Sequence, residues 1–168
     1  MTDKLQYLLD RAEITETVTR VFNDFDLLDW RDLRDALSDR VEVDTSAVQG
    51  GPPTTMDADA FVAYARDILT GFDATQHLST NHVLAIDGDQ ARVTSYMFAS
   101  HWVRTEAGVE DSYTARGCYS LGLERTSVGW KLSHFELRPW HESGNKGVYE
   151  IAADRLKDGR AGQRKHHA

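Results

Sequence analysis

The residues in this chain best suited to proton transfer are a histidine and a group of carboxylates about fifty positions before it. His77 lies in a polar stretch, residues 75–82, that opens a strand-like run. Upstream, a helix-like segment ends in Asp24, Asp26 and Asp29. Histidine is readily poised for proton transfer near neutral pH, and a carboxylate can fix its tautomer. These segments therefore predict an acid–base dyad, provided that the fold brings them together.

A simpler interpretation is that the carboxylates are solvated charges and that His77 is a polar residue at a sheet edge. Carboxylates near the C-terminal end of a helix are disfavoured by the helix dipole, so an acidic helix end needs a compensating reason. A helical wheel places Asp29 nearer the centre of the apolar arc and Asp26 on its margin. Periodicity alone therefore does not select Asp26.

The N-terminal part of the chain has the residue spacing of helices. Apolar residues recur every three or four positions with charged residues opposite, which is the pattern of an amphipathic helix. Gln49-Gly50-Gly51-Pro52-Pro53 is a loop signal, and Gly71 marks a helix end. The predicted helices cover about residues 4–29, 30–37 and 58–70, with a short strand at 41–44.

The rest of the chain has the pattern of long strands joined by short turns. The predicted strands cover 75–86, 90–104, 111–125 and 129–140, and a short helix covers 148–157. Helices followed by an antiparallel meander indicate an α+β fold. These strands of 12–15 residues exceed the usual length of about 5–6, so the sheet must curve. Helices laid across its concave face would leave a cone-shaped pocket for a small ligand.

Composition limits the class of partner. The net charge of −8 argues against nucleic acid and against an anionic membrane surface, both of which attract clustered Lys and Arg. No apolar run approaches the ~20 residues that span a bilayer, and the N-terminus lacks a signal-peptide pattern, so we expect a cytoplasmic location. The single cysteine, Cys118, excludes an intramolecular disulfide and a multi-cysteine metal site.

Four motifs, in this order and spacing, resemble a known family. They are Phe25-Asp26-Leu27-Leu28-Asp29-Trp30, Thr75-Gln76-His77-Leu78-Ser79-Thr80-Asn81, Ile86-Asp87-Gly88-Asp89-Gln90-Ala91 and Gly129-Trp130-Lys131-Leu132. Over roughly residues 5–141 the chain resembles the SnoaL-like branch of the nuclear transport factor two-like superfamily. That branch includes polyketide cyclases, scytalone dehydratase, hexachlorocyclohexane dehydrochlorinase and bile acid dehydratase. The resemblance implies a cystatin-like α+β cone over residues 1–145. A partly flexible extension, 146–168, with a frayed basic tail at 160–167, would follow.

The resemblance also implies roles for individual residues. In the dehydratase-like members, an aspartate at the end of the first helix orients a histidine on a strand, and these positions match Asp26 and His77. A second histidine matches His101. Some relatives carry a tyrosine beside the aspartate or one helical turn before it, where this chain has Phe25 and Phe22. A phenol at the site would then have to come from the sheet, from Tyr96, Tyr113 or Tyr119.

Strand alternation suggests further pocket residues. His101 shares a face with Met97, whereas Arg116 and Tyr119 lie on opposite faces of one strand, and either could reach a ligand oxygen. Phe22, Trp30 and Met97 are candidate apolar lining, although ordinary core packing is the simpler explanation of each. Alternation places His82 on the face opposite His77. His77, His101 and Asp26 could form a metal triad on paper, but the resemblance supports no metal or other cofactor.

Together these observations predict a small cofactor-independent dehydratase, cyclase or isomerase. Its ligand would be small, apolar or cyclic, such as a polyketide-, steroid- or aromatic-like molecule. The alternative is a non-catalytic ligand-binding or assembly module, like the small subunit of a ring-hydroxylating dioxygenase. The enzyme requires a pocket in which His77 and Asp26 are within hydrogen-bond reach. The assembly module predicts that these side chains lie apart or that core residues fill the pocket. Apolar positions on the sheet also predict a homodimer or homotrimer.

Overall fold

The computed structural model describes residues 2–105 and 107–162. Its helices are α1 (Thr2–Leu27), α2 (Trp30–Ala36), α3 (Ser46–Gln49), α4 (Ala58–Leu69) and α5 (Val148–Lys157). Its strands are β1 (Leu37–Asp44), β2 (Thr54–Asp57), β3 (Ala74–Asp87), β4 (Gln90–Arg104), β5 (Glu110–Thr126) and β6 (Gly129–Gly144). None of these helices combines the length and the apolar character needed to cross a membrane.

The strands form one curved sheet in the order β2-β1-β6-β5-β4-β3. Strands β3 to β6 are an antiparallel meander, as the turn signals predict. Strand β1 runs parallel to β6, and β2 pairs antiparallel with β1 at the edge. The α+β fold predicted from the sequence is confirmed. The short elements α3 and β2, around the predicted loop, were not expected.

Helix α1 lies against the sheet through the apolar face of its C-terminal half. Ile14, Val18, Val21, Phe22 and Phe25 are buried in the core, and each such burial contributes roughly 1.5–3 kcal/mol. The helix ends at Leu27, two residues earlier than predicted. Leu28 has a φ of 57°, and Asp29 caps α2 by accepting the N–H of Asp32 at 3.1 Å. Asp29 therefore stabilises the start of α2, just after the chain leaves α1.

A bulge in β3 reverses the side-chain alternation that the sequence suggests. Asn81 has a φ of 58°, and residues 81 and 82 together face Ser95 on β4. After the bulge, His82 faces inward and its Nε2 lies 2.9 Å from Ser79 Oγ, whereas Val83 is exposed. The prediction that His82 lies on the face opposite His77 is therefore wrong.

Helix α5 packs on the body of the protein. Val148 and Ala152 are fully buried, and the backbone of Gly71 approaches Ala152 so closely that a Cβ there would lie 2.1 Å from the Ala152 carbonyl oxygen. The predicted flexibility of the basic tail falls largely on residues 163–167, which lie outside the described residues.

Candidate active site

Asp26 and His77 meet between the last turn of α1 and the start of β3. His77 Nδ1 lies 2.7 Å from Asp26 Oδ1. The backbone N–H of His77 also donates to Asp26 Oδ2 at 2.7 Å, and the Thr75 hydroxyl donates to Oδ1 at 2.9 Å. These bonds fix the carboxylate relative to the strand, so the acidic helix end has the compensating partners that the helix dipole requires.

The contact determines which nitrogen of His77 can act as a base. A carboxylate accepts hydrogen bonds, so a neutral imidazole that donates to it from Nδ1 holds its lone pair on Nε2. The side chain of His77 is only 9% exposed and that of Asp26 is 20% exposed. His77 also lines a cavity. The His77 imidazole therefore lies in the wall of a mostly apolar cavity, with Nδ1 in contact with Asp26.

The cavity lies between the concave face of the sheet and helices α1, α4 and α5. Its volume is about 310 Å³, at the small end of ligand pockets. Aromatic rings form much of its wall: Phe25, Phe61, Phe135, Tyr119, Tyr113 and Tyr149. Phe25 meets the His77 ring edge-on, with centroids 5.7 Å apart. The volume and the lining suit a small, mostly apolar ligand.

His101 lies on β4 beside His77 and also lines the cavity. Only 4% of His101 is exposed, and its ring meets that of His77 nearly perpendicularly, with centroids 5.2 Å apart. The hydroxyl of Tyr149 lies 3.3 Å from both ring nitrogens of His101. The two histidines that the resemblance matched therefore belong to one cluster.

Of the other residues predicted to bind the ligand, Met97 and Tyr119 line the cavity and three do not. Phe22 lies behind Tyr119, with ring centroids 4.4 Å apart, and belongs to the core. Trp30 begins α2, and the Arg66 guanidinium stacks on its ring at 5.6 Å. For both, the prediction of a lining role is corrected: the Phe22 ring lies behind a residue of the cavity wall, and the Trp30 ring packs against Arg66, outside the cavity.

Arg116 is the third correction. It lies on the outer face of β5, where its guanidinium stacks on Phe98 at 5.1 Å and donates to the Ser143 hydroxyl at 3.0 Å. Tyr119, three residues later, is buried on the inner face. The opposite faces inferred from alternation are therefore observed, and only Tyr119 faces the cavity.

The phenols at the cavity come from both the sheet and α5. Tyr113 lines the cavity and donates a hydrogen bond to Glu142, whereas Tyr96 is exposed on the outer face beside Trp140. Burial, more than any neighbouring charge, raises the pKa of Tyr113, Tyr119 and Tyr149. These phenols stay protonated at neutral pH and can donate hydrogen bonds.

Sequence reasoning missed Tyr149 and the polar edge of the cavity. Gln49 Nε2 donates to the Tyr64 hydroxyl at 2.8 Å, which links α3 to α4. Lys146 also lines the cavity, with its Nζ 3.5 Å from Glu142. Only the predicted helix at 148–157 gave any signal for Tyr149. Among the described residues, no group of three or more His, Cys, Asp or Glu side chains is placed to hold a metal ion.

Known proteins share both the sequence pattern and the fold. The sequence profile of the SnoaL-like domain matches residues 6–136. The Kfla4162 protein from Kribbella flavida is 31% identical, with a TM-score of 0.77 over 87% of this chain and 98% of that protein. No curated protein matches the chain.

Two more distant structures share the fold. A candidate scytalone dehydratase from Novosphingobium aromaticivorans is 20% identical, with a TM-score of 0.71 over 100% of this chain and 99% of that protein. A type 2 hexachlorocyclohexane dehydrochlorinase is 18% identical, with a TM-score of 0.71 over 87% of this chain and 95% of that protein. At these identities, the likeness establishes the α+β cone alone.

Proposed function

This chain belongs to the SnoaL-like domain family, and we propose that it is a cofactor-independent lyase or isomerase in which His77 is the general base. The observation that carries the proposal is the 2.7 Å contact between Asp26 and His77 Nδ1, which leaves Nε2 basic at an apolar cavity. This is the condition that separates an enzyme from a ligand-binding or assembly module. The ligand is a small, apolar, cyclic molecule with a carbonyl group.

The proposed reaction begins at a carbon next to that carbonyl. Nε2 of His77 takes the proton, the C–H electron pair forms the carbon–carbon double bond of an enolate, and charge moves to the carbonyl oxygen. Asp26 stabilises the imidazolium. In an elimination, the carbonyl re-forms, the leaving group departs with its electron pair from the next carbon, and the imidazolium can give it the proton. In an isomerisation, the imidazolium returns the proton to another carbon. General base catalysis of this kind contributes about 10²–10⁴ in rate.

The named activities of two structural neighbours support this chemistry. A dehydratase removes water and a dehydrochlorinase removes hydrogen chloride, and both eliminations can begin with removal of a proton beside the leaving group. The apolar wall around His77 supports the proposal independently, because exclusion of water strengthens electrostatic interactions in the site.

The test is deuterium exchange into 1-tetralone, a ketone with two fused rings, followed by NMR in D₂O. The native protein should accelerate exchange beside the carbonyl, and His77→Gln should reduce that acceleration by about 10²–10⁴. Asp26→Asn should reduce it comparably, because the amide would donate to Nδ1 and leave the proton on Nε2. His82→Gln is the matched histidine control. The proposal is contradicted if both dyad variants exchange deuterium at the native rate, or if the native protein does not accelerate exchange.

We further propose that the protein is a homodimer or homotrimer. The outer face of the sheet exposes the apolar side chains of Leu78, Val83, Tyr96 and Trp140, and the rings of Tyr96 and Trp140 are in contact, with centroids 5.8 Å apart. Contiguous apolar patches on a soluble domain commonly mark an interaction surface. This face is opposite the cavity, so self-association and ligand binding are compatible.

A further inference from the structure

We propose that Tyr149, carried by the C-terminal helix α5, donates a hydrogen bond to the substrate oxygen on which negative charge develops. The inference deepens the proposed function and rests on it for the direction of proton transfer. It assigns to α5 a part of the active site that lies beyond residues 6–136, the segment matched by the family profile. It also specifies the substrate as a ring system whose oxygen points toward α5.

The position of Tyr149 supports this role. Its ring packs against Phe72 and His101, with centroid distances of 5.1 and 5.0 Å, and the residue lines the same cavity as His77. The hydroxyl lies next to His101, whose ring is 5.2 Å from that of His77. A flat ketone between these groups can place its α-carbon at His77 and its oxygen at Tyr149.

The hydroxyl is available for exchange with a ligand. Its two 3.3 Å separations from the His101 nitrogens are long for a hydrogen bond that involves a hydroxyl, so a carbonyl oxygen at normal hydrogen-bond distance can compete for this donor. Burial raises the pKa of Tyr149, so the phenol keeps its proton and acts as a hydrogen-bond donor throughout. The substrate proton goes to His77 and returns from the imidazolium, and Tyr149 neither gains nor loses one.

Helix α5 holds Tyr149 rigidly enough for this role. The Arg155 guanidinium donates to the Gly71 carbonyl and to Asp73 Oδ2, both at 2.9 Å, and to the Arg104 carbonyl at 2.5 Å. These bonds join α5 to the loop before β3 and to the end of β4. A donor fixed before the reaction stabilises developing charge without the cost of reorganisation.

No other tyrosine is equally well placed. Phe22 and Phe25 have no hydroxyl, so α1 offers no phenol at the dyad. The hydroxyl of Tyr113 already donates to Glu142, and that of Tyr64 lies at the exposed edge of the cavity, beside Gln49. Tyr119 lies near Asp26, and the charge of that carboxylate adds to the upward shift of its pKa. Negative charge on a substrate oxygen there would face the carboxylate of the dyad. The carboxylate that acts on Tyr149 is Glu142, which accepts from Tyr113 and lies 3.5 Å from Lys146 Nζ. Tyr149 is therefore the better donor.

The experiment compares Tyr149→Phe with the native protein, and Tyr96→Phe on the outer face serves as the matched control. In the 1-tetralone exchange assay, Tyr149→Phe should lower kcat and kcat/KM equally, by about 10²–10³, because the lost bond acts in the transition state. Tyr96→Phe should leave both constants unchanged. Thermal unfolding of each variant checks that the change in rate is not a loss of fold.

A binding measurement separates this inference from the proposed function. Calorimetry with 1-naphthol, which mimics the enolised ketone, and with naphthalene, which lacks the oxygen, should show that the native protein prefers the naphthol. Tyr149→Phe should abolish that preference, and His77→Gln should retain it while losing exchange. If Tyr149→Phe keeps both the native rate of exchange and the preference for 1-naphthol, the role of Tyr149 is overturned and the proposed function stands. Failure of the native protein to prefer naphthol also overturns it.

Discussion

Three carboxylates at the end of α1 differ in role because their surroundings differ. Asp26 bonds to His77 and Thr75, and Asp29 caps α2. Asp24 is buried, and its Oδ2 has no hydrogen-bond partner among the described residues. Sequence spacing cannot separate these roles, since each depends on which backbone or side-chain group lies opposite the carboxylate in the folded protein.

The burial of Asp24 predicts a pH-dependent stability. Burial, with Asp32 and Asp29 adding to it, raises the Asp24 pKa from 3.8 to about 6. Because the folded protein binds this proton more tightly than the unfolded chain, stability falls as pH rises from 3.8 through 6. Asp24→Asn should therefore stabilise the protein at pH ~8, by on the order of 1–3 kcal/mol, and have little effect near pH ~4.

Urea unfolding across this pH range tests the expectation. Asp67→Asn on α4, an exposed carboxylate, is the control and should leave the pH profile unchanged. An Asp24→Asn profile parallel to that of the native protein would show that the Asp24 carboxyl does not titrate differently in the two states.

At the scale of the elements, local sequence patterns predict the helices and strands that bury a continuous apolar face. The spacing of Val18, Val21 and Phe25 predicts α1, and the Asp-Gly-Asp turn predicts the hairpin of β3 and β4. The bulge at Asn81 leaves no such pattern, because it shifts the register inside a hairpin by one residue without a turn signal. The parallel pairing of β1 with β6 leaves none either, because it joins strands that are distant in the sequence. The predicted dyad depended on the family motif, and Tyr149 was missed because it lies beyond that motif.

The bulge gives a prediction at this scale. Asn81 occupies the left-handed region, with a φ of 58°, which a β-branched residue adopts at a cost of about 1–2 kcal/mol and glycine adopts freely. Asn81→Val should therefore destabilise the protein by about that amount, and Asn81→Gly should be close to neutral. Thr80→Val, at the exposed neighbouring position in β3, controls for β-propensity. Chemical denaturation would contradict the prediction if valine and glycine at position 81 were equally stable.

At the scale of the whole molecule, charged hydrogen bonds hold α1 and α5 in place at opposite ends of the cone. At one end, Asp10 on α1 pairs with Arg125 on β5 through contacts of 2.6 and 2.8 Å and accepts the Trp130 indole N–H at 3.2 Å. At the other end, Arg155 holds α5 over the cavity. The cavity therefore lies between two fixed ends of the sheet, and its lining keeps the His77 and Tyr149 side chains in place.

The opposite, convex face gives the prediction for the assembled protein. Tyr96 is 55% exposed and Trp140 is 66% exposed, and their rings meet edge-on with centroids 5.8 Å apart. If this face joins copies of the chain, the native protein should have a mass above the 18.9 kDa of one chain by light scattering after gel filtration. Tyr96→Lys with Trp140→Lys should yield monomers, because buried unpaired charges oppose association.

The control is Leu8→Lys with Leu9→Lys, on the exposed side of α1, which should leave the mass of the assembly almost unchanged. Exchange into 1-tetralone should survive in the monomeric variant, because the cavity is on the other face. A monomeric native protein, or a double-lysine variant of unchanged mass, would show that the convex face is not the interface.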